Sequence, residues 1–244
     1  MARKTNLAVK LWKRAKKANR LKTARVLMRF APKRFILPAA FLRFKPSHHL
    51  QALALDREFF NSITPESRIL EIGASSGTLT NYLLQRARVR PENYTIMDHM
   101  YALKIPLKRK VATLVKQGKV RQIAENYHSH NFGTEQWNHI LMPASLFPNL
   151  QAGSLDYDED ISNLFKKMLR HLKIGGTLRA SHLGADSLIK SSGYGYRPQL
   201  HKFLEDERKK GNIDYRLTEA SFHADPKVRH NGIIITKLRE SREE

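Results

Sequence analysis

Apolar positions along this chain fall into two regimes. Over residues 7–20 they recur at helical spacing and stay few. At about 100° per residue, Leu7, Ala8, Leu11, Ala15 and Ala18 lie within about 100° of one another, with Trp12 at the edge of the stripe. Lys10, Lys13, Lys16, Lys17 and Arg20 take the opposite side. The pattern predicts an amphipathic helix that loosens after Leu21 and is broken by Pro32 and Pro38. From residue 51 short apolar runs alternate with helical stretches. Helices are expected over 51–62, 78–86, about 101–117, 161–172 and 200–210. Strands are expected over 68–72, 94–97, 120–124, 139–142, 177–180, 215–222 and 232–238. The helix over 161–172 has the plainest spacing, with Ile161, Leu164, Phe165, Met168, Leu169 and Leu172 three or four apart. Gly175-Gly176 reads as a turn before the strand at 177. Strands alternating with helices imply a doubly wound, mostly parallel sheet.

Charge divides the chain at the same place. Its 244 residues carry 44 Lys+Arg against 22 Asp+Glu, a net +22. Residues 1–50 hold 15 of the cations and no acid, since Asp56 is the first acidic residue. The rest holds 44 − 15 = 29 basic and 22 acidic residues, a net +7. Residues 1–50 are therefore expected to form a basic, partly helical arm on a mildly basic domain of residues 51–244. Such an arm suits the phosphates of RNA or a ribonucleoprotein. The same helix could lie on an anionic membrane surface, serve as an import signal, or dock on the domain by its stripe. No run of 18 apolar residues is present, so no transmembrane helix is expected. Some 34 basic-rich residues precede the longest apolar run, Phe35 to Leu42, which argues against a secretory signal. The composition fits a cytoplasmic protein, with a mitochondrial one as the alternative because the arm is acid-free and amphipathic. With no Cys there is no disulfide framework, thiol nucleophile or Cys-based metal site.

The segment Ile69-Leu-Glu-Ile-Gly-Ala-Ser-Ser-Gly-Thr-Leu-Thr80 carries the chemistry. An apolar strand ends in an acid, a Gly-x-x-x-Gly loop follows, and a helix begins. Small residues let the backbone approach a ligand, and a helix N-terminus presents unused N–H groups. About twenty residues on, the next strand ends in Met97-Asp98, an acid able to accept hydrogen bonds from a ribose diol. An ordinary dinucleotide-binding fold shares these glycines and the second acid.

These features resemble the class I S-adenosylmethionine-dependent methyltransferases, over about residues 51–240. Glu71-Ile-Gly-Ala-Ser-Ser-Gly77 is similar to the family's acid-x-Gly-x-Gly-x-Gly loop, and Asp98 matches the acid after its second strand. Leu172-Lys-Ile-Gly-Gly-Thr-Leu178 resembles the turn before its fifth strand, with Ile174 in place of Pro. The last two strands resemble its closing antiparallel pair. The resemblance implies a Rossmann-like, mostly parallel seven-stranded sheet with an antiparallel last strand. It implies S-adenosylmethionine as cofactor, held by Glu71, Gly73, Ala74, Ser75, Gly77 and Asp98, with Glu125 or Asn126 near the adenine. Two positions depart from the pattern. Ser75 stands where the middle glycine is usual, and Asn138 replaces an Asp of strand four. Met142-Pro-Ala-Ser145 stands where exocyclic-amine methyltransferases have Asn-Pro-Pro-Tyr or Asp-Pro-Pro-Tyr, which argues against that route.

The cofactor brings an activated methyl group, so the protein's task is mainly alignment, with a base needed only for a protonated acceptor. Histidines gather near expected strand ends at His99, His128, His130, His139, His182 and His223, and none is singled out as a base. Gly193-Tyr-Gly-Tyr196 offers either a flexible turn or an aromatic stacking platform. His128-Ser-His130 has metal-like spacing without an acid or Cys immediately beside it, and no metal is expected. The leading expectation is an RNA methyltransferase. A small-molecule or lipid methyltransferase with a membrane or targeting arm stands beside it, as does an inert methyltransferase-like assembly factor.

Overall fold

A computed structural model describes residues 50, 53–98, 101, 106–125, 127–143, 157–181, 198–219 and 230–240. The arm over 1–49 lies outside the described residues, as do His99, Asn126, His182, the 193–196 segment and His223.

The chain order is α1 (Arg57–Ser62), β1 (Ile69–Ile72), α2 (Thr78–Arg86), β2 (Tyr94–Met97), α3 (Arg109–Lys116), β3 (Arg121–Ile123), β4 (Trp137–Met142), α4 (Tyr157–Arg170), β5 (Leu172–Ser181), α5 (Pro198–Lys209), β6 (Ile213–Glu219) and β7 (His230–Lys237). The strands form one seven-stranded sheet in the order β3-β2-β1-β4-β5-β7-β6. The first five run parallel, and β7 lies antiparallel between β5 and β6. The expected fold class holds among the described residues.

Period-two alternation assigns the two faces. Ile69, Tyr94, Ile96 and Leu141 pack with Phe59 of α1, Leu79 and Leu83 of α2 and Val111 of α3. Leu70, Ile72, Met97, Ile140 and Leu178 pack with Ile161, Leu164, Phe165 and Met168 of α4 and Leu200 and Leu204 of α5. β1 is buried on both faces, as a central parallel strand must be. The chain winds outward from β1 in both directions, so a switch point opens beyond the C-terminal ends of β1 and β4.

Several boundaries depart from expectation. The helix expected over about 101–117 is described only over Arg109–Lys116. Pro106 cannot donate within a helix and disfavours helical geometry before it. The helix expected over 51–62 is described at Leu50 and over Arg57–Ser62, with a turn at 53–54 and Asp56 capping the Phe59 amide at 2.9 Å. The expected Gly-Gly turn is a correction: β5 already begins at Leu172. Gly175 sits inside it at φ 75°. The register jumps from Trp137↔Leu172 to His139↔Thr177, which makes this an in-strand bulge. A Cβ at Gly176 would lie 2.7 Å from the Asn138 carbonyl oxygen, so β4 needs glycine there.

Candidate functional site: the loop between β1 and α2

Glu71 takes the same face as Ile69, which turns its carboxylate toward Thr80 of α2 and Tyr94 of β2. The Thr80 and Tyr94 hydroxyls each donate to Oε2 at 2.7 Å. Oε1 is fully buried and has no hydrogen-bond partner among the described residues. Burial pushes the Glu71 carboxyl up to about 7, against the two hydrogen bonds, and Asp98 adds to the rise. A buried acceptor without a donor costs about 1–3 kcal/mol, which a ligand bearing N–H groups would relieve.

After Ile72 the backbone turns over the end of β2. The amides of Gly73 and Ala74 both donate to the Met97 carbonyl, at 2.7 and 3.3 Å. Three positions have positive φ: Gly73 at 76°, Ser75 at 52° and Gly77 at 72°. Ser75 thus adopts the left-handed geometry for which glycine is usual. Its amide donates to Asp98 Oδ2 at 2.9 Å, which ties the loop to the end of β2. Gly77 serves as N-cap of α2 without a side-chain cap. Val111 of α3 would stand 3.2 Å from a Cβ on Gly77, so the loop is wedged between two helices. Ser75→Gly should relieve the left-handed strain and raise apo stability by up to about 1 kcal/mol; matched thermal melts of the two proteins check this.

Asp98 is buried, with its amide on the Ile123 carbonyl. Tyr101 donates its amide to the Asp98 carbonyl and is buried with its hydroxyl unpartnered. Burial raises its phenol pKa, with Glu71 and Asp98 adding to the rise. Thr80, Tyr94 and Tyr101 escape sequence reasoning because helix and strand periodicity assigns all three to core packing; only the acids they surround give them a polar purpose.

Of the expected site residues, Glu71, Gly73, Ala74, Ser75, Gly77 and Asp98 come together in this loop and the end of β2. Glu125 follows β3, with its carboxylate 2.7 Å from His130 Nδ1, and Asn126 is outside the described residues. Lys167 of α4 holds the segment between them and β4. Its ammonium donates to the carbonyls of Tyr127, His128 and His130 at 2.9, 3.0 and 2.7 Å. His130 is therefore engaged by a carboxylate, and no cluster of three metal-ligating side chains occurs among the described residues. His139 is buried inside the sheet, with Nδ1 2.9 Å from Thr177 Oγ1. Burial, helped by Arg179, pushes it down to about 4, so it is a neutral packing residue. Arg179 lies over the Phe59 ring and donates to the carbonyls of Leu53 and Ala54.

Asn138 proves unrelated to the site. Its Oδ1 accepts from the Arg68 backbone amide at 2.9 Å and its backbone amide donates to the Arg68 carbonyl at 2.9 Å. That places it at the start of β4, the end of the sheet away from the loop. A shallow depression lined by Glu135, Arg170 and His171 lies at that same far end.

The arrangement of a buried acid under a glycine-rich loop, a second acid after β2 and strand order β3-β2-β1-β4-β5-β7-β6 can be compared with known proteins. No family model matches the sequence, and no curated protein matches it. Solved structures do. A candidate rRNA methylase from Clostridium thermocellum superposes with a TM-score of 0.53 at 13% identity, covering 78% of this chain and 98% of its own. A candidate methyltransferase from Streptococcus mutans, solved with SAH, has a TM-score of 0.51 at 17% identity and covers 77% and 98%. The plantazolicin methyltransferase BpumL, also solved with SAH, has a TM-score of 0.51 at 12% identity and covers 86% and 93%. The chain has the class I methyltransferase fold. Within that fold, the loop over residues 71–77 and Asp98 occupy the crevice beyond β1 where ligands of open α/β sheets bind.

Proposed function

We propose that the protein is an S-adenosylmethionine-dependent methyltransferase acting on RNA or a ribonucleoprotein. The observation that carries the cofactor is the orphaned Oε1 of Glu71 beneath a loop pinned to Asp98. The donor set fits the molecule. Accepting the Ser75 amide and binding ribose hydroxyls are compatible at Asp98, because a carboxylate offers about four lone-pair sites. Glu71 offers an anionic oxygen to the ammonium end. Tyr101 adds a buried hydroxyl that has no hydrogen-bond partner among the described residues. S-adenosylmethionine, when bound, supplies a methyl group already activated on a sulfonium. The chain's residues then bind, orient and exclude water, which is most of what an in-line displacement needs.

The left-handed Ser75 supports an intact loop in place of a degenerate one. Asn138, at the far end of the sheet, gives no ground for an inert protein. RNA as substrate is supported by the arm's 15 cations without an acid. It is also in keeping with the candidate rRNA methylase among the proteins that share the fold.

The test uses the full chain, structured ribosomal RNA and a methyl-labelled cofactor. Label should enter the RNA, and RNA affinity should fall steeply with salt. Replacing Lys13, Lys16 and Lys17 by Gln should lower the slope of log K against log salt by about 2, at 0.7–0.9 for each phosphate contact. Leu11→Ser should leave RNA binding almost unchanged. Label that enters only lipid or small molecules, with vesicle binding lost in Leu11→Ser, replaces RNA by a membrane-associated substrate. Cofactor binding without any transfer sinks the enzymatic reading.

A further inference from the structure

The domain's own charge is concentrated in one place. Between Asp98 and Glu125 the chain has no acidic residue and seven cations: Lys104, Lys108, Arg109, Lys110, Lys116, Lys119 and Arg121. Seven is also the whole net charge of residues 51–244, since 29 − 22 = 7. The surplus of the domain is thus equalled by this single connection between β2 and β3.

Most of that charge sits on α3 and its flanks. Lys108, Arg109, Lys110, Lys116 and Lys119 are all exposed, and none forms an ion pair among the described residues. Arg121 differs, with its guanidinium on Glu135 at 2.5 Å. Elsewhere on the domain several cations do find acids, Arg68 with Glu135, Arg90 with Glu66, and Arg216 with Asp56 and Glu58, while Arg57, Arg86 and Arg88 stand exposed without one among the described residues but not in so dense a run. The α3 cluster is also placed against local stability. Lys108 is the N-cap of α3, with no side-chain cap, and Arg109 and Lys110 follow in the first turn with no acid. Cations at that end oppose the helix dipole. Folding alone does not favour such a cluster, whereas a bound polyanion does.

Its position ties it to the loop over residues 73–77. The Lys108 amide donates to the Ser76 carbonyl at 2.8 Å, and Val111 is the side chain against Gly77. The cations therefore begin at the rim of the candidate cofactor site and continue down α3.

We infer that this face, Lys108, Arg109, Lys110, Lys116 and Lys119, is a second phosphate-tracking surface. It seats the RNA backbone next to the site of methyl transfer, while the arm supplies affinity from elsewhere in the chain. The inference rests on the RNA reading above and is separable from it. Charge complementarity selects a polyanion. Val111 is buried and Leu107, Leu114 and Val115 pack against the domain's core, so the large apolar residues beside the cluster are already engaged and are not free to insert as those of an interfacial membrane helix do.

The test compares the full-length protein with its K108Q/R109Q/K110Q variant, using a labelled single-stranded RNA oligonucleotide over a salt series and SAH titration calorimetry. Wild type should bind the RNA with a steep salt slope. The variant's slope should be lower by about 2, at roughly 0.7 for each lost contact on a single strand. SAH affinity should be unchanged. The melting temperature should be equal or higher, because removing cations from the helix start removes a repulsion; a merely structural cluster would lower it. An unchanged salt slope in a variant whose wild type binds RNA overturns the inference alone. A wild type without salt-dependent RNA binding overturns the RNA reading together with it. Binding that follows anionic phosphatidylserine vesicles and not RNA, and that weakens in the variant, assigns the face to a membrane and overturns it as well.

Discussion

Asp98→Ala should weaken SAH binding by about tenfold to a hundredfold. The carboxylate does two things in one position. It accepts the Ser75 amide at 2.9 Å, which holds the loop in shape, and on the proposed reading it also accepts from the ribose hydroxyls at the end of β2. Charge-assisted hydrogen bonds are worth about 1.5–3 kcal/mol each, and tenfold in affinity corresponds to about 1.4 kcal/mol. Asp98→Asn separates the two roles. An amide oxygen can still accept from Ser75 while the charge is gone, so the loop should persist and the melting temperature should change little. Calorimetry on both variants reads the affinity, and circular dichroism reads the fold. A folded Asp98→Ala protein with wild-type SAH affinity removes Asp98 from the site.

The second large effect belongs to Glu71 and depends on pH. In the unfolded chain its carboxyl titrates near 4.5, and in the folded protein near 7. The folded state holds the proton more tightly, so the stabilisation is complete below about 4.5 and is lost as pH rises through about 7. The interval corresponds to on the order of 3 kcal/mol. Apo stability, followed by urea unfolding at a series of pH values, should therefore decline between weakly acidic and weakly alkaline solution. Glu71→Gln should remove that decline, because no proton is left to lose. The cofactor acts in the opposite sense. An ammonium brought to Oε1 favours the carboxylate, so binding should release a proton below pH 7 and strengthen as pH rises. Calorimetry in two buffers of different ionisation enthalpy measures the release. Affinity that ignores pH, with no proton released, places the methionine end elsewhere.

Much of the fold is legible in the sequence where two signals coincide. β2 and α2 match their expected bounds, and β1 does so to within one residue, because the pattern there ends at a small-residue or turn segment. The misreadings in the sheet have one source, which is that periodicity is local and strand geometry is not. Gly175-Gly176 has the composition of a turn, yet β4, paired with Leu172 before it and Thr177 after it, keeps it inside a strand as a bulge. Asn138 reads in the linear motif as a departure from the Asp expected in strand four. Only the pairing of β1 with β4 shows it at the wrong end of the sheet. The acids of the site are legible because an acid within an apolar strand is rare enough to need a reason. Their supports are not, because Thr80, Tyr94 and Tyr101 are ordinary residues for a helix and a strand until the tertiary structure sets them around Glu71 and Asp98.

The place of β7 bears on how the chain is made. β5 ends at Ser181, but the strand that completes its outer edge begins only at His230, 230 − 181 = 49 residues later. During synthesis at about 5–20 residues per second, the backbone of β5 waits roughly 2–10 s for its partner. β6 emerges first and cannot stand in, because in the finished sheet it meets only β7. Closure is thus a late, non-local event that inserts the last strand between two earlier ones, and pairings of that kind are slow. Chaperone occupancy on the nascent chain should accordingly peak after β5 emerges and fall once β7 has cleared the ribosome.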